Sequence, residues 1–291
     1  MADNFVIVIP AKNEARTIYS IVKSARKICP SIIVVDDHST DRTGFEAARG
    51  GATVQRHDFN QGYSAAVLTG IALGIKKAAQ HIVTIDGDGA HDPTDIPSLL
   101  SKHIGINAAL TIGDRLSSTG LAAHSTKLRV NHLAWPILSR ATGLDLPKGD
   151  YASGLRIYSR EFASHMLLSA VNLRPFGLCY YSIFDAILNG RIVSFVPCTV
   201  RYDASRLLYT TRGEFVDFLT TAIDVASNKE FIERCTALRE SAINKCPLRF
   251  SVEGEVVYAI PLTEADGYIF QSQCEFYEEF VHSDFATTFV L

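Results

Sequence analysis

The stretch FVIVIPAKNEARTI, residues 5–18, sets the pattern on which the fold depends. Residues 5–10 form a continuous apolar run, which is typical of a strand buried on both faces of a sheet. A polar segment follows directly, and apolar residues then recur at helical spacing through residues 14–28. The stretch therefore predicts a strand, a polar loop and a helix, in that order.

The same order repeats through residue 112. Apolar runs predict further strands at residues 32–35, 53–56, 82–85 and 108–112, and helical spacing predicts helices at residues 41–49, 64–79 and 94–103. This alternation favours an α/β fold with a mostly parallel central sheet flanked by helices. The less regular second half predicts helices at residues 126–141, 180–189 and 215–226, strands at 154–158 and 192–196, and a β-hairpin formed by 249–252 and 256–260.

Charge is unevenly distributed along the 291 residues. The net charge of −3 does not favour nucleic acid as a partner, but residues 250–291 carry eight carboxylates without Lys or Arg, which leaves +5 for residues 1–249. We therefore predict an α/β domain at residues 1–240 and an acidic, aromatic appendage at residues 241–291. The appendage, a β-hairpin plus a short segment, is expected to pack on the larger domain or on another copy of the chain, which would make a homo-oligomer.

Cysteine usage and hydropathy predict where the protein works. The six cysteines form no C-x-x-C pair and no zinc-binding spacing, which favours free thiols in a reducing cytoplasm. No apolar run approaches the roughly 20 residues that span a bilayer. We expect a cytoplasmic protein without a transmembrane segment, with peripheral docking to a membrane left open.

A polar cluster follows each of the first four predicted strands. The clusters are PAKNE at residues 10–14, DDHSTD at 36–41, NQG at 60–62 and DGDGAHD at 86–92. Ligands of open α/β sheets bind beyond the carboxyl ends of the strands, so parallel strands would bring all four clusters to one edge. Convergent polar groups of this kind predict a ligand site.

Asp86, Gly87 and Asp88 are the most informative of these residues. Two carboxylates at the end of an apolar strand can hold one Mg²⁺ or Mn²⁺ ion, which keeps coordination positions open for phosphate oxygens and neutralises a leaving diphosphate. A single D-x-D is more often a capped turn, so its position after the strand decides the interpretation. The glycine pattern of a dinucleotide fold, a P-loop and a nucleophile elbow are all absent from the sequence.

Seven segments together resemble a known family: IPAKNEARTI, VVDDHSTDRT, NQGYSAAVLTGI, TIDGDGAHDP, IGDR, LRVN and YASGLRIYSRE. They resemble the family-2 glycosyltransferases of the GT-A (Rossmann-like) fold, and most closely the polyprenol-phosphate (dolichol-phosphate) mannosyl- and glucosyltransferases. The segments occur in the family's order up to about residue 161, and a weaker similarity, VPCTVRYDASR, extends to Arg206.

The resemblance implies a role for each matching position. Asp36 and Asp37 would face the nucleobase, Gly62 would let the backbone approach the nucleotide, and Asp86 and Asp88 would hold the metal and the diphosphate. The other implied nucleotide-sugar contacts are Pro10, Ala11, Asn13, Glu14 and Gly87. The implied catalytic residues are Arg115, Arg129 and Asp150, with Ser153, Gly154, Arg156 and Arg206 on the acceptor side.

Simpler interpretations of several residues stay open. Asp36 and Asp37 could only cap the following helix, Arg115 and Arg129 could pair with surface carboxylates, and Asp150 could be a turn residue. The family's usual Gln is replaced by Ala90, so the metal is held by fewer protein atoms or by His91, which could instead be a hydrogen-bonding loop residue.

The resulting prediction is a metal-dependent, inverting glycosyltransferase with a GDP- or UDP-linked sugar donor. Its acceptor is a phosphate or a hydroxyl, and a hydroxyl would require a base, for which Asp150 is the candidate. Arg206 is followed by Leu-Leu-Tyr-Thr-Thr and not by the Gly- and Lys-containing segment usual in the polyprenol-phosphate branch. The alternative is a non-catalytic nucleotide-sugar-binding or regulatory protein on the same fold.

Overall fold

A computed structural model describes residues 4–117, 146–170, 177–199 and 201, and the backbone of 249–253 and 256–260. The chain divides into two compact units, Met1–His132 with Pro147–Leu207, and Leu133–Leu146 with Leu208–Leu291. The helices predicted at residues 126–141 and 215–226 and the boundary predicted near residue 240 lie outside the described residues.

The described part of the first unit begins with regularly alternating strands and helices. These are β1 (Phe5–Ala11), α1 (Ile18–Ala25), β2 (Ile32–Asp36), α2 (Thr43–Gly50), β3 (Thr53–Arg56), α3 (Tyr63–Lys76), β4 (His81–Thr84), a 3₁₀ turn (Pro93–Asp95), α4 (Ile96–Gly105) and β5 (Leu110–Asp114). After residue 146 come β6 (Arg156–Ser159), α5 (Arg160–Ser169), α6 (Gly177–Leu188) and β7 (Val193–Pro197). The strands and helices predicted within these residues are confirmed, with ends shifted by a few residues.

The seven strands form one sheet in the order β3-β2-β1-β4-β6-β5-β7. β1 pairs in parallel with β2 and β4, β2 with β3, and β5 with β7. Only β6 runs antiparallel among the described strands of this sheet, between β4 and β5. The predicted mostly parallel α/β sheet is therefore confirmed, and the parallel strands β1–β4 bring their carboxyl ends to one edge.

Close contact between α3 and the sheet depends on glycine. A Cβ on Gly70 would lie 2.0 Å from Val8 Cγ1, and a Cβ on Gly74 would lie 2.7 Å from Val6 Cγ1. Both valines are buried in β1. The two glycines therefore let the helix backbone lie directly on the central strand, which fixes where α3 begins relative to the sheet edge.

Helix α5 is an addition to the predicted elements. Ser159 is its N-cap and accepts a hydrogen bond from the backbone N–H of Phe162 at 3.2 Å. Phe162, Ala163 and Met166 are its buried residues, a short apolar stripe with helical spacing. The serine cap before this stripe was the available sequence signal.

Described residues of the second unit form two antiparallel strands, β8 (Arg249–Glu253) and β9 (Val256–Ile260). The strands of the predicted hairpin are confirmed. The packing of the appendage stays a prediction. Across the described residues, none of the helices has both the length and the apolar character needed to cross a bilayer.

Candidate functional site

The loops at the carboxyl ends of β1–β4 form a continuous edge, here called the carboxyl rim and made of residues 10–17, 36–43, 57–63 and 86–92. Hydrogen bonds between residues 26–29 positions apart join the loops after β1 and β2, among them Asn13 N to Ser39 Oγ (2.9 Å), Thr40 N to Asn13 Oδ1 (2.8 Å) and Glu14 N to Thr43 Oγ1 (2.7 Å). Asn13 has a positive φ of 57°, a conformation that Asn tolerates well. The structure thus explains why short polar residues occupy both loops.

Asp36 and Asp37, the predicted nucleobase contacts, are buried, and both carboxylates accept hydrogen bonds from the protein. Asp36 accepts from the Ser39 backbone N–H at 2.9 Å and from Arg56 at 2.7 Å. The alternative that they cap α2 is wrong, because Asp41 accepts from the first backbone N–H of that helix, on Thr43, at 2.9 Å, and the described partners of Asp36 and Asp37 lie outside the helix. Their contact with a nucleobase stays a prediction.

Asp37 joins the loop after β2 to the loop after β3. One of its oxygens accepts from the Gln61 backbone N–H at 2.8 Å and lies 2.8 Å from His57 Nδ1, and the other accepts from the Gly62 backbone N–H at 2.8 Å. Gly62 has φ of 88°, which favours glycine. This carboxylate therefore fixes the backbone that leads into α3.

The D-x-D loop lies beside the other loops of the rim. Asp86 is about one quarter exposed, and its Oδ1 accepts a hydrogen bond from the Tyr63 hydroxyl at 3.0 Å. Asp88 Oδ1 accepts from the Ala90 backbone N–H at 2.8 Å. Burial, and then the charge of Asp86, raise the pKa of Tyr63 well above its usual range, so the phenol stays protonated.

Gly87 is closely packed against β1 and α1. A Cβ at this position would lie 3.2–3.3 Å from Ile18 Cδ1, Ala11 Cβ and the Pro10 carbonyl oxygen. Thr17 ties the same backbone down, because its hydroxyl donates to the Gly87 carbonyl at 2.7 Å and lies 3.1 Å from a Glu14 carboxylate oxygen. The predicted nucleotide-sugar residues Pro10, Ala11, Glu14 and Gly87 are thus brought together.

His91 lies under the D-x-D loop. Its ring is fully buried, with Nε2 3.9 Å from Asp86 Oδ2 and Nδ1 4.0 Å from Cys198 Sγ. Burial raises the pKa of the Cys198 thiol to about 12, which keeps it a neutral thiol. Within the described ranges, no group of three or more His, Cys, Asp or Glu side chains is arranged to hold a metal ion, so coordination by His91 stays a prediction.

The chain after β7 is fastened to the segment that follows the D-x-D. Arg201 donates from its backbone N–H to the Ala90 carbonyl at 3.0 Å, and its guanidinium pairs with Asp92. The Thr199 backbone N–H donates to Asp95 at 2.6 Å. Residue 90, where this chain departs from the family's Gln, therefore contributes its backbone to a contact that supports the loop.

Arg115 and Asp150 form a buried bidentate ion pair. Arg115 Nε donates to one Asp150 oxygen at 2.5 Å and an Nη donates to the other at 3.1 Å, and both side chains are at least 95% buried. The alternative of a surface pair for Arg115 is therefore wrong. Asp150 also accepts from the Ala152 backbone N–H at 3.1 Å, so it is a turn residue as well. Its role as a base stays a prediction.

Arg156 is buried and binds the backbone around it. It donates to the carbonyls of Tyr151 (2.6 Å), Ser153 (2.7 Å) and Cys179 (2.8 Å) and to Ser182 Oγ (2.9 Å). These bonds connect the turn that contains Asp150 to helix α6. The described geometry gives Arg156 a positioning role from inside the protein, and direct acceptor contact stays a prediction, as it does for buried Ser153.

Several residues of the site were not predicted: Tyr63, Thr17, His57 and Arg56. Their contacts join segments that are distant in sequence, so the pattern within any one segment does not predict these contacts. Among the predicted residues, Arg129 and Arg206 lie outside the described residues.

The sheet and the D-x-D loop at its carboxyl edge define a glycosyltransferase of the GT-A class. The sequence matches the glycosyl transferase family 2 over residues 6–167, more than half of the chain, and the chain belongs to this family. It is therefore a glycosyltransferase, and the resemblance inferred from its motifs is confirmed.

The similar sequences include enzymes of polyprenol-linked sugars. The chain is 29% identical to polyprenol monophosphomannose synthase of Mycolicibacterium smegmatis over 212 residues, which cover 67% of this chain and 76% of the relative. It is 25% identical to UDP-N-acetylglucosamine–dolichyl-phosphate N-acetylglucosaminyltransferase of Methanococcus voltae over 223 residues, covering 69% and 88%. These similarities agree with the polyprenol-phosphate branch.

Among solved structures, glucosyl-3-phosphoglycerate synthase from Mycobacterium tuberculosis, in complex with Mn²⁺, uridine diphosphate and phosphoglyceric acid, has a similar fold. The TM-score is 0.55 at 20% identity, and the similarity covers 89% of this chain and 87% of that one. The GT-A fold is confirmed by this likeness.

Proposed function

We propose that this glycosyltransferase binds a nucleoside-diphosphate sugar along the carboxyl rim and transfers the sugar, with inversion, to an acceptor that carries a phosphate. The observation that carries the proposal is the convergence of Glu14, Gly62 and Asp86 through hydrogen bonds between four loops. An extended ligand with a base, a ribose and a diphosphate matches a rim that crosses β2, β1 and β4 in turn.

A divalent cation fits the D-x-D loop. Asp86 and Asp88 are both partly exposed carboxylates, and Mg²⁺ or Mn²⁺ is commonly bound by one or two carboxylates together with substrate phosphates. Two protein ligands are therefore enough, which agrees with Ala90 in place of a third. When bound, the cation would supply positive charge that stabilises the departing diphosphate. Mn²⁺ in the structure of the mycobacterial synthase supports this assignment.

Asp37 and Thr43 shape the nucleotide end of the site. Their hydrogen bonds set the loops at residues 60–62 and 13–14, so the backbone and Glu14 would present fixed groups to the base and ribose. Free UDP or GDP would compete with the nucleoside-diphosphate sugar for this surface. The UDP-linked sugar in the name of the relative from Methanococcus voltae and the uridine diphosphate bound in the mycobacterial structure favour UDP as the first nucleotide to test.

Arg115 would contribute positive charge near the reacting groups. Its bidentate contact with Asp150 fixes the plane of the guanidinium, and this preorganisation lowers the reorganisation needed when negative charge develops. A phosphate oxygen that attacks the sugar needs no base, because it is already ionised near neutral pH. Asp150 then acts as the residue that orients Arg115. With a hydroxyl acceptor, Asp150 would have to leave this pair to accept a proton.

The donor test is a thermal-shift panel of UDP, GDP, ADP and CDP with and without Mn²⁺. A ligand that binds only the native state raises its apparent stability by RT ln(1 + [L]/Kd), so the correct nucleotide should give the largest shift. We expect UDP or GDP to give the largest thermal shift, and we expect the full shift only when Mn²⁺ is present. Equal small shifts for all four nucleotides would contradict the proposal.

The acceptor test uses mannose, glucose and N-acetylglucosamine linked to the nucleotide so identified, with two acceptors, a short-chain polyprenyl phosphate and 3-phosphoglycerate. Transfer to either one supports a phosphate-bearing acceptor, and the faster reaction distinguishes lipid from soluble. Tight binding of the donor without transfer of its sugar to either acceptor or to water, and without release of nucleoside diphosphate, would favour the alternative of a non-catalytic binding protein.

A further inference from the structure

Asp86 is held from two sides by residues that come from different parts of the chain. The Tyr63 hydroxyl, at the start of α3, donates to Asp86 Oδ1 at 3.0 Å. On the other side, a Cβ on Gly154 would lie 2.1–2.3 Å from the oxygens and Cγ of the same carboxylate. The carboxylate therefore lies in van der Waals contact with the Gly154 backbone.

Gly154 is itself fixed against the sheet. Thr84, the last residue of β4, donates from its buried hydroxyl to the Gly154 carbonyl at 2.9 Å. Arg156 holds the preceding turn through the carbonyls of Tyr151 and Ser153. The surface that Asp86 rests against is thus set by β4 and by the turn before β6.

Tyr63 is likewise placed by its surroundings. It follows Gly62, whose backbone N–H is bound by Asp37, and precedes Ser64, whose hydroxyl accepts from the Leu178 backbone N–H of α6 at 3.1 Å. Because α3 lies directly on β1 at Gly70, the first residue of the helix has little freedom to move. The phenol therefore reaches Asp86 from a rigid position.

We infer that Tyr63 is a positioning residue of the donor site, whose hydroxyl holds the Asp86 carboxylate against Gly154 in the orientation that binds a divalent cation. The inference rests on the proposed metal role of Asp86. The Tyr63 hydroxyl and the Gly154 backbone together fix the carboxylate, so Asp86 would meet a cation without a search among rotamers. Residues that orient metal ligands in this way typically change metal affinity by about 10–100-fold when they are replaced.

The test compares Tyr63→Phe with Tyr181→Phe, which also removes one tyrosine hydroxyl, in that case one that donates to the Ser169 carbonyl at 3.0 Å. Calorimetry measures UDP binding, and GDP binding in parallel, with and without Mn²⁺. We expect Tyr63→Phe to weaken the Mn²⁺-linked tightening of nucleotide binding about tenfold, with nucleotide affinity in EDTA and the melting temperature close to those of Tyr181→Phe. Raised Mn²⁺ should restore its transfer rate.

Two further variants separate the outcomes. Asp86→Asn should lose Mn²⁺-linked tightening, and no Mn²⁺ concentration should restore its transfer. Gly154→Ala, which pushes the carboxylate from the other side, should weaken the tightening with Tyr63 intact. If Tyr63→Phe behaves like Tyr181→Phe while Asp86→Asn loses tightening, the positioning role is wrong and the metal site stands. If the parent shows no tightening with UDP or GDP, the metal proposal fails and the inference fails with it.

Discussion

On the carboxyl rim, the loops after β1–β3 are joined by hydrogen bonds between backbone groups and short polar side chains, whereas residues 147–156 are organised around buried guanidinium groups. Asp37 shows the first arrangement, with two backbone N–H donors and His57 around one carboxylate. Arg156 shows the second, with three carbonyls and a hydroxyl around one cation. In the first region the central group is a carboxylate that accepts hydrogen bonds, and in the second it is a guanidinium that donates them.

This difference predicts how far the effect of a single substitution spreads in each region. Replacing Asp37 disturbs one loop, because all three of its carboxylate partners lie within residues 57–62. Loss of Arg156 disturbs the turn around Asp150 and helix α6 together, because its acceptors lie on both. Single changes on the acceptor side should therefore cost more stability than single changes on the rim.

The largest effect is expected for Arg156→Lys. An ammonium cannot reach four acceptors in the plane of a guanidinium, so buried carbonyls are left without donors. We expect the free energy of unfolding to fall by about 2–4 kcal/mol, measured by urea denaturation. Arg49→Met, which removes the ion pair between an exposed arginine and Glu46, should cost less than about 1 kcal/mol. Equal losses for both variants would show that the buried contacts of Arg156 add no more stability than one exposed arginine does.

Asp37→Asn should have the next largest effect, on the rim. Both oxygens of Asp37 accept from backbone N–H groups, so either orientation of an asparagine amide places an NH₂ group against an N–H donor. A loss of about 2 kcal/mol in stability and weaker nucleotide binding are expected. The matched control is Asp58→Asn, an exposed carboxylate in the loop that Asp37 binds. Unchanged nucleotide affinity in Asp37→Asn would show that this loop is not part of the donor site.

A smaller, pH-dependent effect is expected on the β5–β7 side of the sheet. His103 is buried, and its Nδ1 forms a 2.9 Å hydrogen bond with the Thr111 hydroxyl. Its ring also contacts the His81 ring in an edge-to-face arrangement. Burial, and then His81, lower the pKa of His103 to about 4. In the unfolded chain His103 has a pKa near 6.5 and binds a proton more tightly than it does in the native protein. Its contribution to stability is therefore complete above that pH and is lost as the pH drops toward 4.

This contribution amounts to about 2 kcal/mol between about pH 8 and about pH 5. Urea denaturation at both pH values should show that His103→Gln loses less stability on acidification than the parent does. His38→Asn, at an exposed position with positive φ, should keep the parent's pH dependence. An identical pH dependence in all three proteins would show that His103 is not the acid-sensitive group.

Much of the fold could be predicted because local patterns decide it. Each apolar run that is followed by a polar cluster, as at residues 5–14, became a parallel strand and its rim loop. The antiparallel direction of β6 could not be predicted, since the apolar pattern of residues 154–158 is the same for either direction. Helix α5 was missed because its apolar stripe of Phe162, Ala163 and Met166 is short.

The site could be predicted in position but not in its connections. The sequence placed Asp36, Asp37 and Asp86 on one edge, and the structure confirms that their loops lie together. It could not show that Asp37 binds backbone 24–25 residues away, or that Tyr63 reaches Asp86, because both depend on how α3 packs on β1. The Arg115–Asp150 pair likewise joins positions 35 residues apart.

Asp88→Asn tests the central claim most directly, since Asp88 is a proposed metal ligand whose described hydrogen bond is local to its own loop. The measurement is UDP or GDP affinity by calorimetry with and without Mn²⁺, with the transfer rate determined on the same preparations and Asp58→Asn as control. The account predicts that Asp88→Asn keeps its metal-free nucleotide affinity and melting temperature, loses the Mn²⁺-linked tightening, and transfers no sugar. Unchanged Mn²⁺-linked affinity and transfer in Asp88→Asn would contradict it.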